Sequence, residues 1–194
     1  MNFLSIESAT SNPSVALYEN GSSIDVHFLK KNSSELPSKI KEIIANNDFD
    51  VNNLDCIVIT IGPGSYTGIR VGLSLAQGLA YSLNIPLLPI NTMDVLYSMV
   101  CGENSISRIV GFPAYNDKIL HFITNNTSKT YKLELSDIGS LKGKTVYGVG
   151  LSCYKDIINY KKIDFSAEVI AQYAINRYKS LCCTDIGSIA PIYL

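Results

Sequence analysis

The stretch from Gly68 to Leu83 carries a single charge, Arg70, and its apolar residues Ile69, Val71, Leu73, Leu75, Leu79 and Leu83 fall on several sides of a helix. A surface helix normally opposes its apolar stripe with a polar face, and here little more than Ser74, Gln77 and Ser82 is polar. Small residues recur at i+4 spacing, at Gly68, Gly72, Ala76 and Ala80, and such a row lets another backbone approach closely. Glycine costs about 1 kcal/mol against alanine inside a helix, so Gly72 and Gly78 need a packing reason. Two readings stay open. The helix is buried wholly within its own chain, or its second face packs on another subunit. Each large aliphatic side chain removed from water is worth roughly 1.5–3 kcal/mol. Several left exposed would form a patch that monomers avoid, and a partner is the simplest cover.

The surroundings define an α/β unit. Phe3-Leu4-Ser5-Ile6 reads as a buried strand ending at Glu7, Ser14 to Tyr18 as a second, and Ile24 to Leu29 as a third after the Asn20-Gly21 turn. Alternation along the third puts Ile24, Val26 and Phe28 on one face and Asp25 and His27 on the other, so His27 reads as a strand-surface histidine. Ser33 or Ser34 caps a helix with Pro37 in its first turn and Leu36, Ile40, Ile43 and Ile44 on one stripe. Leu54 to Ile61 is a nearly continuous apolar run, as expected of a central strand. After the helix from about Tyr66 to Leu83, Pro86 to Ile90 closes a β-α-β crossover. Beyond it come a short helix, Thr92 to Val100, strand-like pieces at Arg108–Ala114, Ile119–Thr124 and Thr145–Val149, and a late helix, Ala167 to Leu181, capped by Ser166. No repeat is visible. The expected division is 1–99 for the first lobe and 100–194 for a smaller second.

Composition narrows the function classes. Hydrophobic residues make up 46% and charged ones 17%, enough apolar material for a core. The longest apolar runs, such as Cys56-Ile57-Val58-Ile59, are far too short for a membrane span, and Met1 to Glu7 shows no basic stretch ahead of an apolar run. No membrane association or export is expected. The five cysteines lack metal or CxxC spacing and read as reduced thiols, which points to the cytoplasm. With only His27 and His121, no metal site is expected. The 16 basic and 17 acidic residues give a net charge of −1. A protein gripping nucleic acid alone concentrates cations against roughly 6–10 phosphates, and Lys30-Lys31 and Lys161-Lys162 are ordinary surface pairs.

Gly62-Pro63-Gly64-Ser65-Tyr66-Thr67-Gly68-Ile69-Arg70 follows a strand and opens a helix, where an anion would be welcome. It lacks the P-loop lysine, and Thr67 stands where GxGxxG needs its third glycine, so a structural strand-to-helix turn is the expectation. No GxSxG nucleophile occurs, and no carboxylate pair is marked out for acid–base work. No catalytic residue and no cofactor are assigned.

Gly62 to Ala80, GPGSYTGIRVGLSLAQGLA, resembles the GPGSFTGLRIGLxxAxGLA signature of the bacterial TsaB (formerly YeaZ) family. Ile6-Glu7-Ser8-Ala9-Thr10 with Ser14-Val15-Ala16-Leu17 is similar to that family's IDTAT…SVAL opening, Gly148-Val149-Gly150 to its GxG turn, and Ala190-Pro191-Ile192-Tyr193-Leu194 to its closing A-x-P-x-Y-L. The resemblance implies an α/β, actin-like (ASKHA, ribonuclease H-like) fold of two small lobes. It implies a non-catalytic subunit that binds and activates the TsaD catalytic subunit in forming N6-threonylcarbamoyladenosine beside the tRNA anticodon. The TsaE ATPase acts through the complex, tRNA is met only through the complex, and the same helices permit a homodimer. Carried onto this sequence, the contact helices are Glu35–Asn46 and Thr67–Leu83, with Leu36, Ile40, Gly68, Val71, Gly72, Leu75 and Ala76 as partner-binding residues. In the actin-like superfamily the first turn reads acid, any residue, Gly, Thr and holds magnesium and phosphate. Here Glu7 stands at the acid but Ala9 replaces the glycine, which implies weakened or lost ATP chemistry. The alternative is an actin-like ATPase or small-molecule kinase; a metallopeptidase would need a zinc site that two unpaired histidines hardly provide. The sequence departs from the family in lacking the histidine of the HSExL helix entry at Ser33-Ser34-Glu35-Leu36 and the DAR segment near Pro113-Ala114-Tyr115.

Overall fold

The computed structural model describes residues 1–30, 33–101, 107–124 and 131–193. Lys31 of the Lys30-Lys31 pair and Leu194 of the closing motif lie outside the described residues. The chain divides into two compact units, Met1–Thr92 with Ser166–Leu194, and Met93–Phe165. The sequence expectation of 1–99 and 100–194 differs from this at its boundary, since residues 93–99 fall in the second unit, and at its end. The segment from Ser166 onward belongs to the first unit, because its helix packs on that unit's sheet.

In the first unit a meander of β1 (Phe3–Glu7), β2 (Ser14–Glu19) and β3 (Ser22–Phe28) is extended by β4 (Cys56–Gly62) and β5 (Leu87–Asn91). The strand order is β3-β2-β1-β4-β5, antiparallel within the meander and parallel across β1-β4-β5. Alternation decides which residues meet which helix. Leu4, Ile6, Val15, Leu17, Ile57 and Ile59 form one face, covered by α1 (Leu36–Asn46) and α2 (Tyr66–Leu83). On the opposite face Ser5 donates from its hydroxyl to the Ala167 carbonyl at 2.7 Å, and the Ala167 amide donates to Ser14 Oγ at 2.9 Å. Tyr18 donates to the Glu168 carbonyl at 3.0 Å. These polar ties seat a late helix, Ala167–Ile175, which ends short of the expected Leu181; a separate turn of helix spans Tyr178–Leu181. The serines expected to cap α1 instead form a short 3-10 turn, Ser33–Glu35, and the Glu35 carboxylate accepts from the Lys30 amide at 3.0 Å.

In the second unit α3 (Thr92–Val100, entering from the last residue of the first) accompanies β6 (Ile109–Pro113), β7 (Lys118–Ile123), β8 (Glu134–Asp137), β9 (Thr145–Gly148) and β10 (Asn159–Lys162). Their order, β10-β9-β6-β7-β8, has β6-β7-β8 antiparallel and β6-β9-β10 parallel. This is the strand plan of the first unit over again. One face is filled by Ile119, Ile138, Leu141, Val146, Leu151 and Ile158, and on the other Tyr97 of α3 packs on Phe122. Gly111 and Gly148 let β6 and β9 meet: a Cβ at Gly148 would stand 1.9 Å from the Gly111 carbonyl oxygen.

Candidate partner-binding helix

The helix that dominates the sequence is α2, and its two ends are fixed locally. Ser65 caps the start, its Oγ accepting from the Gly68 amide at 3.2 Å, and Asn84 closes the end in the left-handed conformation at φ 54°. The regular small-residue row lies on the inner side. Gly68 faces the Ser8 carbonyl, Gly72 faces the Ser8 hydroxyl and Ile59, and Ala76 and Ala80 are fully buried against the sheet. A Cβ at Gly72 would stand 2.1 Å from Ser8 Oγ, so the close approach that this glycine permits is to the chain's own β1 turn.

Of the partner-binding residues expected from sequence, Leu36, Ile40, Gly68, Gly72 and Ala76 therefore point into the first unit's own core. Val71 and Leu75 are half-buried on the shoulder of α2, and Ile44 of α1 is half-buried against the same core. The solvent side of α2 is a second row, Thr67, Ser74, Gly78 and Ser82, flanked by that shoulder and by Tyr81, which is 83% exposed. Nothing lies within 4 Å of the position a Cβ would take at Gly78. The inner side of α2 answers to the first reading, burial within its own chain, and the outer side is open to solvent.

A third flank is closed by the end of the chain. Gln77 donates to the carbonyls of Ile186 and Ile189 at 2.9 and 3.1 Å, and the Ile192 amide donates to the Ile61 carbonyl at 2.8 Å. Arg70 donates from Nε to the Tyr193 hydroxyl at 2.6 Å while its guanidinium lies 3.9 Å from the Tyr66 ring centroid. The lone charge of the helix and its one amide side chain are both used to hold residues 186–193. Sequence reasoning took the closing Ala-Pro-Ile-Tyr run only as a family marker and did not place it on α2.

The turn where the superfamily holds magnesium and phosphate does not fit them here. Glu7 is fully buried, and its carboxylate accepts from the amides of Ala9 and Thr10 at 2.7 and 2.9 Å and from the Thr10 hydroxyl at 2.8 Å. Burial raises its pKa from 4.5 to about 7, against the lowering by those Thr10 and Ala9 hydrogen bonds. The Ala9 carbonyl accepts from the Ser65 amide at 2.7 Å, and a Cβ at Gly64 would fall 2.2 Å from that same oxygen. The carboxylate is thus spent on the amides and hydroxyl of its own turn, and the Ala9 carbonyl on the turn that opens α2. Among the described residues no cluster of three or more His, Cys, Asp or Glu side chains could hold a metal ion, and no helix is long and apolar enough to cross a membrane.

Residues 28–116 match the family model described as TsaD: tRNA N6-adenosine threonylcarbamoyltransferase. Over 115 residues the chain is 33% identical to the tRNA threonylcarbamoyladenosine biosynthesis protein TsaB of Haemophilus influenzae, which covers 56% of this chain and 49% of that one. It is 34% identical over 100 residues to the protein of the same name from Bacillus subtilis, covering 50% and 43%. The structure of YeaZ from Pseudomonas aeruginosa superposes with a TM-score of 0.74 at 17% identity, over 100% of this chain and 99% of that one. Over about half of its length the chain is similar in sequence to TsaB proteins, and it shares the fold of a YeaZ structure. The match spans about half the length of each of these curated TsaB relatives. The YeaZ superposition shows the fold alone: α/β, with the same strand plan in each of the two units.

Proposed function

We propose that this chain is a non-catalytic subunit in the formation of N6-threonylcarbamoyladenosine at the tRNA adenosine beside the anticodon. It binds and activates a TsaD transferase through the outer side of α2, with the half-buried edge of α1 contributing. The observation that carries the reading is Gly78: a glycine in the middle of a helix, exposed, with no atom of its own chain requiring it. Its cost of about 1 kcal/mol relative to alanine is accounted for by a second helix crossing closely at that point. The half-buried Val71, Leu75 and Ile44 supply apolar contact for it.

The sequence relationship supports the same reading. The segment that matches the transferase's own family model, residues 28–116, contains both α1 and α2. Subunit and transferase would therefore offer like helices to one another. That arrangement would also permit self-pairing through the same side in the transferase's absence. TsaE and tRNA are met through the complex, and the chain contributes contact instead of chemistry, in keeping with a Glu7 turn closed on itself.

Co-expression with the matching transferase, followed by calorimetry on the purified subunits, tests the assignment. Gly78→Leu is expected to weaken association by about ten-fold or more, equivalent to roughly 1.4 kcal/mol, with the melting temperature held or raised. Unchanged affinity would remove this side of α2 from the interface. Gly72→Leu is not a substitute for that experiment, since its side chain collides with Ser8 and reports on folding.

A further inference from the structure

The C-terminal end of α2 borders a cavity of about 590 Å³, walled by Tyr81, residues 84–86 and residues 184–187. The volume is in the range that holds a small ligand or a long side chain. Asp185 is the one formally charged residue of the wall. Its carboxylate does not cap the helical turn that follows it, and it has no hydrogen bond or ion pair among the described residues. The backbone beneath is fixed. The Asp185 carbonyl accepts from the Ser188 amide and hydroxyl at 3.2 and 2.8 Å, and Cys183 exchanges two backbone hydrogen bonds with Leu87.

Three features of the wall favour positive charge together. The carboxylate is unpaired, the α2 C-terminus is the negative end of the helix dipole with no basic residue in its last turn, and the Tyr81 ring is open to solvent. Ile85, Pro86 and Ile186 add an apolar side suited to a methylene stem. We propose that this cavity is a binding site for an alkylguanidinium or alkylammonium group. Its head would pair with Asp185 against the Tyr81 face while its stem lies on Ile85, Pro86 and Ile186. Tyr81 flanks the same outer row as Gly78, so a basic side chain of a chain lying on α2 is one source, an assignment that rests on the pairing reading above; a free amine is the other.

The site itself is tested on the full chain alone, so its failure is separate from a failure to pair. Titration of isotopically labelled protein with agmatine, a guanidinium on a four-carbon stem, is expected to move the amide resonances of Tyr81, Ile85 and residues 184–187 saturably. The dissociation constant should be on the order of 1 mM. Asp185→Asn, whose side chain holds no structural hydrogen bond, is expected to weaken that binding by about five-fold or more while leaving the rest of the spectrum in place. No saturable shift, or equal binding by D185N, overturns the proposal. Where binding is seen, association with the transferase assigns the source. A several-fold loss in D185N identifies a partner's side chain, and an unchanged affinity identifies a free amine.

Discussion

Glu7 is the residue at which the superfamily's chemistry and this chain's structure part. A carboxylate that binds hydrated magnesium has to face water or the ion, whereas this one is enclosed and accepts three hydrogen bonds from its own turn. Desolvation outweighs those bonds and raises its pKa to about 7 from 4.5. For an acid whose folded pKa exceeds its unfolded one, the stabilising contribution is complete below pH 4.5. It declines as pH rises to about 7 and levels off above, by about 3 kcal/mol in all. Glu7→Gln keeps a carbonyl for the two amides and places its own amide against the Thr10 hydroxyl. Urea denaturation at pH 5 and pH 8 is therefore expected to show a drop in stability for the natural chain and a flat response for E7Q. A natural chain equally stable at both values would mean that Glu7 is ionised throughout. The acid and the missing glycine at Ala9 were both readable in the sequence, because each sits at a fixed offset from a strand end. That Ala9 and Gly64 press on each other was not, since they are brought together only by the pairing of β1 with β4.

At the scale of the element, the sequence reveals a helix without a broad polar face but does not say which flank turns inward. Hydrophobic periodicity works by contrast, and Gly72 and Gly78 are chemically identical in a list of residues. Their surroundings are opposite: Ser8 and Ile59 crowd the first, and open space surrounds the second. Opposite stability changes follow. Gly78→Ala is expected to raise stability by about 0.5–1 kcal/mol through helix propensity, and Gly72→Ala to lower it by about 1–3 kcal/mol through overpacking. Thermal melts of the two single variants measure both, and shifts of the same sign would contradict the orientation of α2. The flank held by residues 186–193 was hidden for another reason, since Gln77 and Arg70 meet partners more than a hundred positions later. Likewise β8 and β10, Glu134–Asp137 and Asn159–Lys162, are short and polar with almost no buried residue, so neither alternation nor an apolar run announces them.

For the whole molecule, the two units share one strand plan, three antiparallel strands extended by two parallel ones, although no repeat is visible in the sequence. Topology is kept by hydrogen-bonding order and by alternation of buried faces, both of which tolerate wholesale replacement of side chains. Charge is the other property that belongs to the chain as a whole. With 16 basic and 17 acidic residues there is no excess of cations to displace counterions from RNA, while the outer row of α2, built of Thr67, Ser74, Gly78 and Ser82, is uncharged. Binding to nucleic acid weakens with salt in proportion to the phosphates neutralised, so the salt dependence counts the cations a protein lays on RNA. Filter binding across a salt series is expected to show no retention of tRNA by this chain alone at about 0.15 M salt, a concentration at which specific RNA contacts persist but weak ion pairing does not. Adding it to the transferase should leave the slope of log affinity against log salt unchanged. A slope steeper by several units would show that this chain grips the RNA directly, and a subunit acting only through α2 has no means to produce it.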